Sequence, residues 1–356
     1  SIIFYNHIIM KFTSYVATFL FNCLLFSFAD TECPMVSSIE DRRNNTNTLR
    51  LVQYNAEWLF INYYANMDCP GNGCTWHTTS DAKTHMSYVA NTLSILQPDI
   101  VNFCEIEGCD ELNMLKDQLG TNYNSYVKKG TDTSTGQNVG ILTKIDPFIS
   151  LYRNEEKVSY PISGTKCGDT TASGTIGVSK HYITEFNINS MNIAMIGVHL
   201  LAIPTDPSRC VQREGQAQVL QNIVYSYIQK GYEIILLGDM NDYDAEVLDL
   251  NADKPISRVL DILKGLDGQH KNIYSLTNIA ISIPQTERYS DWWDSDNNCN
   301  TSSQKDLSMI DHILVTSNIN KKITNAFVYH GYKEYCGKWD SDHWPVVIDI
   351  NTSRVN

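Results

Sequence analysis

Eight residues of this chain have types and placements suited to acid–base and hydrogen-bonding chemistry: Asn55, Glu105, His199, Asp239, Asn241, Asp311, Asp342 and His343. Four of them stand where an apolar run stops. "LRLVQY" ends at Asn55, "DIVNFC" at Glu105 and "IAMIGV" at His199, while "YEIILL" runs through Gly238 to Asp239. A sheet fixes the backbone of a buried strand and leaves the side chain at its end free, which is where layered α/β proteins gather reactive groups. Taken singly, each has a plainer explanation as a turn or cap. Asp311 is different, because it lies inside an apolar run with Met309, Ile310, Ile313, Leu314 and Val315. A carboxylate there is costly unless it is paired or hydrogen-bonded. "SDHWPVVIDI" offers the partner: a nearby carboxylate can orient His343 and keep it basic. A scaffolding ion pair is the alternative.

The elements that must position these residues alternate along the chain. Met86, Val89, Ala90, Leu93 and Leu96 keep helical spacing before Pro98, and Val219, Leu220, Ile223, Val224, Tyr227 and Ile228 do so before Gly231. Strands and helices therefore interleave. No solenoid-length repeat or low-complexity linker divides residues 49–350, so one domain is the simplest organisation.

The 356 residues are 42% hydrophobic and 19% charged, which suits a globular chain and argues against disorder as the main state. Met10-Lys11 is followed by "FTSYVATFLFNCLLFSFA", whose Ser27-Phe28-Ala29 end reads as a signal-peptide cleavage site. The expected organisation is upstream sequence over 1–9, a signal peptide over 10–29, an N-terminal extension over 30–48 and a catalytic domain over 49–356. A membrane anchor is the competing reading of the apolar segment, but it is short for a span and carries Thr13, Ser14 and Asn22. Export makes disulfides the expectation for the nine cysteines left once Cys23 is removed, with at least one thiol over. Asn44, Asn300 and Asn351 head N-x-S/T sequons, so a secreted glycoprotein is expected. Removing Lys11 from the 27 basic residues leaves 26 against 40 acidic, a net charge of −14. Such a chain cannot grip a polyanion by bulk charge, so a phosphodiester substrate requires a bound cation and a local basic group.

Together, "YNAEWLF", "PDIVNFCEIEG", "GVHLLA", "GDMND", "IDHILV" and "SDHWPV" resemble the ordered motif set of the endonuclease/exonuclease/phosphatase superfamily, nearest its deoxyribonuclease I and secreted bacterial nuclease branches. The resemblance covers residues 49 to 350 and implies a four-layer α/β sandwich, two β-sheets face to face with helices outside. It implies Mg²⁺ (Mn²⁺ or Ca²⁺ as substitutes) on Glu105, with Asn55 and Asp342 as further ligands or water-holders. His343, oriented by Asp311, would be the general base or hold a phosphoryl oxygen. Asp239 would position the nucleophile, Asn241 would donate to a phosphate oxygen and His199 would protonate the leaving oxygen. Asp239 and Asn241 would project to one side of an extended segment.

Two departures from that pattern stand out. Cys104 replaces the usual glutamine before Glu105, and the glutamate that leans on the histidine of deoxyribonuclease I has only Gln137 or Asn138 as counterparts here. The implied activity is a secreted, sequence-nonspecific endonuclease acting on DNA, and on RNA as a further substrate, as a monomer with no stable membrane association. The alternatives are a secreted sphingomyelinase, which "GVHLLAIPTDPSRCVQREGQ" also resembles, and a non-catalytic binding protein that kept the fold. The loop "RYSDWWDSDNNC" precedes the Asp311 strand, so Arg288, Trp292 and Trp293 are expected to contact substrate, with a tryptophan pinned to the sheet as the plainer reading.

Overall fold

The computed structural model describes residues 32–62, 74–168, 170–332 and 339–353. The expected upstream segment and signal peptide lie outside the described residues. The chain runs β1 (Thr48–Leu59), α1 (Thr79–Leu96), β2 (Ile100–Ile106), α2 (Cys109–Leu119), β3 (Asn124–Val127), β4 (Asn138–Thr143), β5 (Val158–Tyr160), β6 (Gly174–Ile176), β7 (Lys180–Ile188) and β8 (Met191–His199). It continues through α3 (Pro207–Gln229), β9 (Glu233–Asp239), α4 (Val259–Leu263), β10 (Leu276–Asn278), β11 (Asp291–Trp292), β12 (Leu307–Ser308), β13 (Asp311–Thr316), α5 (Ser317–Asn320), β14 (Ile323–Val328) and β15 (Val346–Asn351).

Two sheets carry the fold, ordered β14-β15-β1-β2-β4-β3 and β10-β13-β9-β8-β7. Strand alternation sorts their side chains into three layers. On β1, Leu49 and Leu51 face the other sheet while Val52 and Tyr54 face the helices; on β9, Ile235 and Leu237 point inward while Ile234 and Leu236 point outward. The inner layer joins these residues to Tyr182, Phe186, Met195, Ile313 and Ile348. One outer layer seats Met86, Val89 and Leu93 of α1 with Leu112 and Leu115 of α2, and the other seats Leu220, Ile223 and Val224 of α3. The order helix, sheet, sheet, helix is the expected sandwich.

Local signals set the helix ends. Thr78 caps α1 by accepting from the Asp81 N–H at 3.1 Å, and Gln97 closes it in the left-handed region ahead of Pro98. Asp206 caps α3, with Pro207 in its first turn.

Two disulfides, Cys33–Cys109 and Cys167–Cys210, tie segments far apart in sequence, Cys74 and Cys299 are also disulfide-bonded, and Cys104 is a buried free thiol. The three sequon asparagines are exposed. No helix among the described residues is long and apolar enough to cross a membrane.

Candidate active site

Strand pairing brings the predicted residues to one end of both sheets. His199 pairs with Asp239 across the parallel β8–β9 register, and Asp239 pairs with Asp311 across antiparallel β9–β13. In the other sheet Asn55 pairs with Cys104, next to Glu105, and His343 stands just before β15. A cleft of about 530 Å³ opens there, lined by Glu105, His199, Asp239, Asn241, Asp342 and His343, with Asn55 and Asp311 directly behind it. A groove of about 620 Å³ around Asn189, Lys321 and Lys322 lies at the opposite strand ends and holds no such set.

At the centre, Asn55 Nδ2 donates to Glu105 Oε1 at 3.2 Å and Asp239 Oδ2 at 3.1 Å. His199 Nε2 is 3.5 Å from Asp239 Oδ2 and 4.0 Å from Glu105 Oε1. His343 Nδ1 is 2.7 Å from Asp311 Oδ2, and the carboxylate is held by Gln53 Nε2 at 3.0 Å and Ser290 Oγ at 2.9 Å. Burial opposes charge on His343, yet Asp311, Asp291 and Asp342 carry its pKa well above the ordinary histidine value. The second histidine goes the other way: burial, then Lys180 and His343, push His199 well below that value. Two histidines with opposite protonation tendencies thus face one cleft: His343 favours its charged, proton-donating form and His199 its neutral, proton-accepting one, the reverse of the base and acid roles the resemblance implies.

Residues 52–343 match the Endonuclease/Exonuclease/phosphatase family. The chain belongs to that family.

Among solved structures it is similar to the 3'-5' exonuclease NExo of Neisseria meningitidis, with 16% identity over 85% of this chain and 100% of that one and a TM-score of 0.55. It is also similar to an endonuclease/exonuclease/phosphatase family protein of Leptotrichia buccalis (13% identity, 85% and 99% covered, TM-score 0.51) and to truncated TDP2 of Caenorhabditis elegans (15%, 85% and 97%, 0.50). No curated protein sequence matches the chain. At these identities the neighbours carry the fold, and family membership carries the coarse chemistry: hydrolysis of phosphodiester or phosphate ester bonds.

Within the family frame, several expected placements change. Arg288 is not in the cleft: its guanidinium donates to the carbonyls of Ile283, Leu248 and Ile281, fastening its own loop. Trp292 belongs to the inter-sheet core at 6% exposure, whereas Trp293, just past the end of β11, is 69% exposed and lines the cleft, so of the pair it is Trp293 that faces substrate. Asn55 directs its amide N–H to the acids and its Oδ1 accepts from the Glu57 N–H at 3.1 Å, so it ties the two carboxylates together. In the cleft, Glu105, His199 and Asp239 form a donor set with all ligand atoms within 4.8 Å, while Asp342 Oδ1 lies 4.0 Å from His343 Nε2 at the cleft wall.

Asp239 and Asn241 share the cleft, but not as alternate residues of an extended segment. The strand ends at Asp239, Asn241 takes a φ of 49°, and its N–H bonds Asp239 Oδ1 at 2.9 Å. Its side-chain N–H donates to Leu200 O at 3.2 Å. Neither Gln137 nor Asn138 orients His199. Lys180, the register partner of His199, holds Gln137 Oε1 at 3.1 Å, Asn138 binds the Glu107 carbonyl, and His199 Nδ1 is buried without a partner.

Two acids of the site carried no pairing signal in the sequence. Asp291 bridges to His343 through the backbone, lies 3.4 Å from its Nε2, and is pushed up to about 6 by burial. Glu57 accepts from Thr75 Oγ1 and from the Asp342 N–H, and burial raises it to about 7. Glu57, Trp58, Glu105 and Asn241 all have positive φ, so backbone strain concentrates at the cleft.

These acids fit a divalent cation. Burial, together with neighbouring carboxylates, raises Asp239 and Asp342 well above the carboxylate range, and the crowded groups are hard oxygen donors.

Proposed function

We propose that the protein is a secreted, Mg²⁺-dependent phosphodiesterase whose main substrate is DNA, cut without sequence preference. The reading rests on one arrangement: the Asp311–His343 pair and His199 face each other across a cleft floored by Asn55, Glu105 and Asp239. Glu105 and Asp239 would hold the cation, with Asp342 at the wall, and when bound it would draw negative charge off the phosphodiester. His343, its ring fixed through Nδ1 by Asp311 and its charged form favoured by the surrounding acids, presents Nε2 to a phosphoryl oxygen. Asp239 aligns the attacking water. His199, kept neutral by burial and close to Asp239 at Nε2, accepts a proton from that water, and Asn241 places its amide at the cleft wall for a non-bridging oxygen. The strand positions of these groups leave them little freedom, so orientation is built in before substrate arrives.

The test is hydrolysis by the purified chain of supercoiled DNA, single-stranded RNA and sphingomyelin vesicles, with and without EDTA. Nicking of DNA that EDTA abolishes supports the reading. Release of choline phosphate with intact DNA would move the assignment to a sphingomyelinase, and no hydrolysis of any of the three with Mg²⁺ would remove the catalytic reading. Recovery of the exported chain from a secreting host, cleaved after Ala29, tests the secretion.

A further inference from the structure

The segment between His199 and α3 is built around one buried cation. Arg213 has no solvent exposure, and its Nε donates to Asp242 Oδ2 at 3.1 Å. Nη1 donates to the carbonyls of Leu201, Ala202 and Ile203 at 3.1, 3.2 and 2.8 Å, and Nη2 to that of Pro204 at 2.8 Å. Only a guanidinium offers enough N–H donors in a fixed fork to face four consecutive carbonyls and a carboxylate.

A chain that turns four successive carbonyls toward one point cannot stay extended, and Ile203 takes the turn at a φ of 68°. That conformation is doubly unfavourable here. Ile203 is β-branched, and it precedes a proline, which favours an extended backbone; glycine or asparagine is the usual occupant of the left-handed region. Burial does not compensate, because the side chain is 46% exposed and lines the cleft together with Trp293. The Arg213 contacts hold the strained turn in place, and the turn leaves an apolar side chain exposed beside the reactive centre.

We propose that Ile203 is a substrate-contacting specificity residue, packing against the apolar face of the sugar or base beside the scissile phosphate, and that Arg213 is the positioning residue that holds it there. The inference rests on the phosphodiesterase reading above. The inner wall is carboxylate-rich and suited to a cation and a phosphate, so an apolar rim at Ile203 and Trp293 supplies a sequence-tolerant grip on the nucleoside. Arg213 also couples this rim to the catalytic turn through Asp242, and the Leu200 N–H bonds Asp239 O at 2.9 Å.

The experiment compares Ile203→Gly, Ile203→Asn, Arg213→Lys and the double Ile203→Gly/Arg213→Lys by melting temperature and steady-state DNA hydrolysis. Glycine and asparagine accept the left-handed backbone, so melting temperature should hold or rise, while KM for DNA rises about five- to tenfold with a smaller change in kcat. A lysine nitrogen cannot reach all five acceptors, so Arg213→Lys should raise KM similarly, and the double variant should go no further than the larger single. Wild-type cleavage with unchanged KM in both Ile203 variants would overturn this inference alone, whatever Arg213→Lys does. An inactive wild type would overturn the nuclease reading, and this inference with it.

Discussion

His343 Nδ1 sits 2.7 Å from Asp311 Oδ2, and the same carboxylate is gripped by Gln53 of β1 and by Ser290 just before β11. A buried acid held by two neutral donors keeps its remaining lone pairs for the imidazole, and so selects the ring's orientation and tautomer. Asp311→Asn keeps the size but turns an N–H toward Nδ1, moving the ring proton to Nε2. Turnover should fall by about 10² or more, and combining it with His343→Ala should cost little beyond the larger single loss. Wild-type turnover in a well-folded Asp311→Asn protein would reduce the pair to scaffolding.

Removal of divalent cations should abolish hydrolysis, and Glu105→Gln should shift the Mg²⁺ titration to higher concentration and lower the plateau. The Glu105 carboxylate already collects the Asn55 amide and the Trp58 N–H at 3.1 Å, so the substitution changes charge at a fixed position. A Mg²⁺ titration identical to wild type would show that Glu105 does not hold the ion.

The two neighbouring tryptophans should behave oppositely. Trp292→Ala empties a core position and should destabilise by roughly 3–5 kcal/mol, measured by denaturant unfolding. Trp293→Ala should stay within about 0.5 kcal/mol of wild type and raise the KM for DNA several-fold. Equal stability losses in both would place Trp293 in the core as well.

Asp146 fastens the N-terminal extension to the sheet, far from the cleft. It accepts from Arg42 Nη1 at 2.8 Å, from Ser38 Oγ and the Glu40 N–H, and from Asn124 and Tyr126. Burial works against its charge, but Arg42, Asn124 and Tyr126 outweigh it and hold its pKa well below the usual carboxylate range. A depressed folded-state pKa gives stability that is complete above the unfolded value near 3.9 and is lost as pH falls through the folded one. Asp146→Asn should therefore cost roughly 1.5–3 kcal/mol at pH 7, with the wild type converging on the variant only in strong acid. A gap between the two that grows on acidification would contradict the sign.

Much of this architecture follows from the sequence alone. Apolar runs of strand length named β1, β2, β8 and β9, and because a strand hands its last side chain to solvent, Asn55, Glu105, His199 and Asp239 were legible at their ends. Asp311 was legible because a carboxylate in an apolar run needs a partner, and that partner is His343. Other assignments depended on pairing that no local pattern encodes. Arg288 and Arg213 look alike in sequence, yet one fastens its own loop and the other turns Ile203 into the cleft. The pairing of β11 with β12 sends Trp292 inward, and the strand ends there, which leaves Trp293 out. Glu57 and Asp291 enter the site through a left-handed turn and an isolated bridge to His343. Periodicity reports which face of its own element a residue occupies; which distant carbonyl, carboxylate or ring that face meets is decided only when the two sheets pack.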